Sequence, residues 1–145
     1  MEMKLTPLLG ALLLSNTPAF ADDFIYLQCD ANIQLRIRDK TSLKIPREES
    51  DDFIINFRID IKKKVMVESR DGVERPFEIL RKGLLLQKIR QQDPINLVEL
   101  DTYIQYDPPG RMKGNSYFTD DTQEGTGKGE GKCKASNASM YEASK

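Results

Sequence analysis

The chain has no histidine and no tryptophan, only two cysteines, and no excess of either charge: 22 Lys+Arg stand against 23 Asp+Glu in 145 residues. Each shortage excludes something. Without histidine there is no Ser-His-Asp or Cys-His nucleophile pair, no imidazole general base and no histidine metal ligand. A net charge of −1 argues against electrostatic nucleic-acid binding, which needs a clustered positive excess. Beyond the N-terminus no run of residues approaches the roughly 20 apolar positions that span a bilayer. The length allows one domain and hardly two.

What is present begins with an export signal. Met1-Glu2-Met3-Lys4 is a short n-region, Leu5 to Leu14 is apolar, and Ser15 to Ala21 ends in Ala19-Phe20-Ala21, an A-x-A cleavage pattern. Residues 1–21 therefore read as a signal peptide, with the mature chain starting at Asp22. A buried N-terminal helix is the alternative, and Pro7 and Pro18 fit it poorly. The expected location is periplasmic or secreted. In that setting the two cysteines, Cys29 and Cys133, near the two ends of the mature chain, have one internal pairing open to them. A structural disulfide is expected. The redox or metal alternative lacks a CxxC and lacks histidine.

Apolar alternation with a period of two runs through the chain. Ile25, Leu27, Cys29, Ala31, Ile33, Leu35 and Ile37 are all odd-numbered, so a strand places them on one face with Cys29 pointing inward. Thr41 to Asp52 reads as a polar loop with a short strand at Leu43-Lys44-Ile45. Ile55, Phe57, Ile59 and Ile61 form the clearest strand, and Val65 to Val67 another. Arg70-Asp71-Gly72 is a hairpin turn, and Pro76 marks a strand start or an edge. Phe77 to Leu80 and Leu84 to Ile89 read as two strands about Arg81-Lys82-Gly83, with a helix over Arg75 to Arg90 as the rival. Ile95 to Tyr106 is rich in strand formers, and Met112 to Thr119 is a further candidate strand. In Gly125 to Cys133, glycine takes every odd position before the cysteine. This segment is either a strand with one bare face or a flexible loop tethered by the disulfide. The expected fold class is all-β: a small antiparallel meander curling into a barrel or half-barrel, with residues 22–135 as the β domain and 136–145 as a mobile polar tail.

Few motifs carry chemistry. Gly127-Lys128 is followed by Gly129 rather than Ser or Thr, so the glycine run is no phosphate loop. Glu99 and Asp101 share one strand face, a pair that does acid–base work only if one carboxyl is desolvated. The alternative is a solvated face with charged cross-strand partners. Asp51-Asp52 and Asp120-Asp121 lack EF-hand spacing. Asn137-Ala138-Ser139 fits a glycosylation acceptor, relevant only in a eukaryotic secretory pathway. Tyr103, Ser116, Tyr117 and Phe118 form a possible partner surface. No catalytic residue, cofactor or metal is expected.

A signal peptide, an early strand bearing a cysteine, a run of antiparallel strands and a late cysteine form a layout that resembles the C-type lysozyme inhibitors of the bacterial periplasm. Gly114-Asn115-Ser116-Tyr117 is similar to the small-residue, Ser and Tyr loop of that family. The tryptophan of the family's second motif has no counterpart here. Other small exported bacterial proteins share the cysteine layout. The resemblance implies a compact β-barrel that blocks its target with a loop. The expected function is an exported, non-enzymatic binding or inhibitor module of the cell envelope, whose partner is another protein or a cell-wall component. A structural envelope protein is the alternative, and a carboxylate-dependent hydrolase comes third.

Overall fold

A computed structural model describes residues 24–145, so the expected signal peptide, 1–21, lies outside the described residues. Nine strands follow in chain order: β1 (Phe24–Asp39), β2 (Arg47–Asp60), β3 (Val65–Glu68), β4 (Glu74–Pro76), β5 (Glu78–Arg81), β6 (Leu84–Gln92), β7 (Leu97–Tyr106), β8 (Pro109–Thr119) and β9 (Gln123–Ala135). A short helix, α1 (Ala138–Ala143), follows them. The strands form one antiparallel sheet in the order β4-β3-β2-β1-β9-β8-β7-β6-β5. It curls into a nearly closed barrel, with β4 approaching β6. Every strand pairs with its neighbour in sequence except β1 with β9, the first and the last. The all-β expectation holds. The helix rival over 75–90 gives way to β5 and β6, joined at Gly83, whose φ of 83° suits a residue without a Cβ.

The odd face of β1 is the inner face. Leu27, Cys29, Ala31 and Ile37 are buried on it, with Phe57, Ile55 and Phe53 of β2 opposite Leu27, Cys29 and Ala31. On β7 and β8 the even positions share that face: Ile104 pairs with Met112, Thr102 with Gly114 and Leu100 with Ser116. The core gathers at one end of the barrel. Leu27, Cys29, Ile59, Met66, Leu85 and Ile104 are almost wholly buried there, and Phe77 plugs the β4–β5 junction. Each such side chain contributes about 1.5–3 kcal/mol through burial. Pro76 sits in β4, an outermost strand of the order, where its missing N–H breaks no central ladder.

Cys29 and Cys133 are joined, 104 residues apart in sequence and directly opposite one another in the β1–β9 ladder. The bond closes the one long-range strand pairing of the sheet. Gly125, Gly127, Gly129 and Gly131 form part of β9, so the bare-faced strand is the structure adopted and the flexible loop is not.

Three elements differ from the sequence expectation. Leu43-Lys44-Ile45 forms no strand. Arg47 to Asp52, read as loop, is the first half of β2: its backbone pairs with Asn32 to Ile37 although it has no apolar alternation to announce it. The segment 136–145 carries α1. Asn137 caps it, with Oδ1 accepting from the Met140 N–H at 2.9 Å. Tyr141, 2% exposed, packs against Tyr26 and beneath the Arg58 guanidinium, and Ser144 Oγ lies 2.7 Å from Ser69 Oγ. Burial pushes the Tyr141 hydroxyl up from its usual range, with Arg58 and Lys145 opposing.

Candidate functional site

The barrel has a filled end and an open end. On β2, β3 covers only Phe57–Asp60, and on β6, β5 covers only Leu84–Leu86. Beyond those positions Arg47–Asp52 of β2 and Lys88–Gln92 of β6 have no strand on their outer edge among the described residues, so a seam opens between them. Three loops crown this end: 40–46, 93–96 and 120–122. The first two are unusual in what they expose. Leu43 and Ile45 are 107% and 90% exposed, Ile95 is 59% exposed, and Val98 just beyond is 40% exposed. A large apolar side chain left in water with neighbours of the same kind marks a contact surface.

The turns that hold these loops are built on aspartates. Asp93 Oδ1 accepts from the N–H groups of Ile95 and Asn96 at 2.9 and 2.8 Å. Asp120 Oδ1 accepts from the N–H groups of Thr122 and Gln123 at 2.8 and 2.7 Å. Loop 40–46 is tied to the second turn by the Lys40 N–H, which donates to the Thr122 carbonyl at 2.8 Å. The backbone N–H bonds hold both carboxyls below the usual carboxylate range. A lowered folded value means that the turns' contribution is complete above the ordinary value of 3.8 and is lost as pH falls through the folded values. The thermal midpoint is therefore expected to drop between about pH 5 and about pH 2. Asp93→Asn with Asp120→Asn should flatten that drop, since the amide keeps an acceptor but takes up no proton. Equal slopes for the double variant and the parent protein would show that these turns do not carry the acid response.

The residues singled out from sequence fall into separate places. Ser116 and Phe118 lie on the inner face of β8, opposite Gly127 and Gly125. Tyr103 and Tyr117 lie on the outer face, opposite Lys113 and Glu99. The four do not form one surface. Glu99 and Asp101 lie on the outer face, side by side with charged partners: Glu99 is 3.7 Å from Arg90 Nε, and Asp101 stands opposite Lys88. The Glu99 side chain is 46% exposed, which fits the reading as a solvated face with charged cross-strand partners. Asp52 accepts from Asn32 Nδ2 at 2.7 Å. Among the described residues no three Cys, Asp or Glu side chains converge as metal ligands would.

Sequence reasoning missed the exposed Leu43 and Ile45. The signal was there: two apolar residues in a loop of lysines, with Pro46 ending the alternation, belong to no strand face and have no core to enter. The outward face of the long strands is polar instead. Gln28, Asp30, Asn32, Gln34, Arg36 and Arg38 alternate with the inward aliphatics along β1. No helix among the described residues is long and apolar enough to cross a membrane. Comparison with known proteins returned no match: no protein-family model, no curated protein and no solved structure matches this chain.

Proposed function

We propose that the protein is an exported, non-enzymatic binding module of the cell envelope that engages another protein or cell-wall glycan with the loops at its open end. The observation that carries this reading is the pair Leu43 and Ile45, almost fully in water on a loop fixed to a disulfide-linked barrel. Burying either against a partner contributes about 1.5–3 kcal/mol. An inhibitor that inserts this loop into a target cleft is the sharpest form of the proposal. The open strand edges at the seam support the structural-envelope alternative, because an unpaired edge can template assembly.

One experiment separates the readings. The protein is titrated into lysozyme acting on peptidoglycan, and in parallel is sedimented with peptidoglycan alone and by itself. A binding module gives saturable inhibition or saturable co-sedimentation, lost at least about tenfold in Leu43→Asp with Ile45→Asp while the fold is kept. Sedimentation of the protein by itself as a large assembly favours the structural alternative. No interaction in any arm overturns the proposal.

A further inference from the structure

The inside of the barrel changes character along its length. Between the packed core and the open end lies a cavity of about 170 Å3. Ile33 of β1, Phe53 and Ile55 of β2, Leu100 of β7, Met112 of β8 and the backbone of Gly129 wall it. Glycine makes the room. Gly114 pairs with Gly129 across β8 and β9, and Gly127 is the next inward position on β9, so this stretch of wall is bare backbone. An apolar cavity of roughly 150 Å3 stays dry and takes up a molecule such as benzene. The space here suits a ring or a short stretch of hydrocarbon.

A groove adjoins the cavity at Ile33. It runs past Leu35 to Glu49 and Asp51, at the seam where β2 has lost its outer neighbour. By strand parity Glu49 and Asp51 lie on the same inner face as Phe53. Glu49 is engaged by Arg47, whose Nε is 2.9 Å away. The Asp51 carboxylate makes no hydrogen bond or ion pair among the described residues. An apolar cavity thus lies beside a carboxylate that has no ion-pair partner among the described residues.

We infer that cavity and groove together bind a cationic amphiphile, its hydrocarbon in the cavity and its ammonium head beside Asp51. The site is distinct from the loop surface of the previous section and does not rest on it. A fatty acid of the same length brings its carboxylate to Asp51 and is repelled. Part of the ligand's energy comes from apolar surface removed from water, about 25 cal/mol per Å2. The head then sets which chains are accepted.

The test is calorimetric titration of the purified protein with hexylamine and with hexanoate, whose six-carbon chains match the volume of the cavity. Saturable one-to-one binding of the amine is expected, at least about tenfold tighter than the acid. In the wild-type protein, methyl NMR shifts at Ile33, Ile55 and Leu100 should follow the titration while those at Leu43 and Ile45 stay still. Gly129→Leu and Ile33→Trp each fill the cavity and should weaken binding at least about tenfold. Asp51→Lys should remove the preference for the amine. Absence of saturable binding, equal affinity for amine and acid, or methyl shifts confined to the Leu43 loop overturns the inference, as does binding that survives both filled variants in folded form. Loss of the loop interaction in Leu43→Asp with Ile45→Asp leaves this titration unchanged, so the two proposals fail separately.

Discussion

Removing the disulfide, by Cys29→Ala with Cys133→Ala, should cost about 3–5 kcal/mol of unfolding free energy. The cross-link joins residues 104 apart, and the chain-entropy model assigns a loop of about 100 residues close to 4.7 kcal/mol. Against a total stability of about 5–15 kcal/mol that is a large share. Topology makes the bond's position matter as much as its loop length. Among the described residues every other strand pairing is between neighbours in sequence, and β1–β9 alone joins the first strand to the last. Without the bond that ladder must be assembled at the full entropy of closing nearly the whole domain. Urea unfolding with and without reductant checks this. Reductant should lower the midpoint of the wild-type protein to that of the double variant and leave the variant itself unmoved. A shift below about 1 kcal/mol would mean that the backbone ladder holds the ends without help.

The sequence carried this part of the fold openly, and the reason is parity. Cys29 sits among odd-numbered aliphatics, so its inward direction followed from strand alternation, whereas that of Cys133, at the end of a run of odd-numbered glycines, followed only if the run was a strand and not a loop. The first half of β2 was illegible for the opposite reason. Arg47-Glu48-Glu49-Ser50-Asp51-Asp52 has no apolar face, and only the ladder to Asn32–Ile37 of β1 makes it a strand. Helix α1 hid because a six-residue element anchored by one tyrosine shows no periodicity. The scattering of Tyr103, Ser116, Tyr117 and Phe118 was within reach. Positions 116 and 118 differ in parity from 117, so one strand cannot present all three on one face. The cavity was not within reach, since it depends on the register that sets Gly114 opposite Gly129 and on Ile33, Phe53 and Leu100 of other strands closing around that gap.

The glycine stripe of β9 gives the second large effect, and its sign changes from one position to the next. A Cβ on Gly131 would stand 2.5 Å from the Asp30 carbonyl oxygen and 3.1 Å from the Ala31 Cα. Both are backbone atoms of β1, in the ladder just before the disulfide. Neither rotates away, so β1 and β9 must separate, and Gly131→Ala should cost about 1–3 kcal/mol, with Gly131→Val above that range. At Gly129, two residues earlier on the same face, the nearest atoms to an added Cβ are 3.6 Å or more away. Its backbone is that of an ordinary strand, so Gly129→Ala should be neutral or stabilise by about 0.4–1 kcal/mol through the lost freedom of the unfolded chain. Gly127 falls between, because a Cβ there meets Ser116 Oγ and Leu35 Cδ2, side-chain atoms that can turn aside. Thermal midpoints of the three alanine variants should therefore rank Gly129 highest, Gly127 next and Gly131 lowest. A flexible glycine loop would instead give three similar, slightly raised midpoints, since alanine would stiffen each position alike. The ranking thus reads the closeness of β1 to β9 residue by residue. It also shows that glycine at 131 serves strand approach, whereas glycine at 129 leaves room that the fold itself does not require.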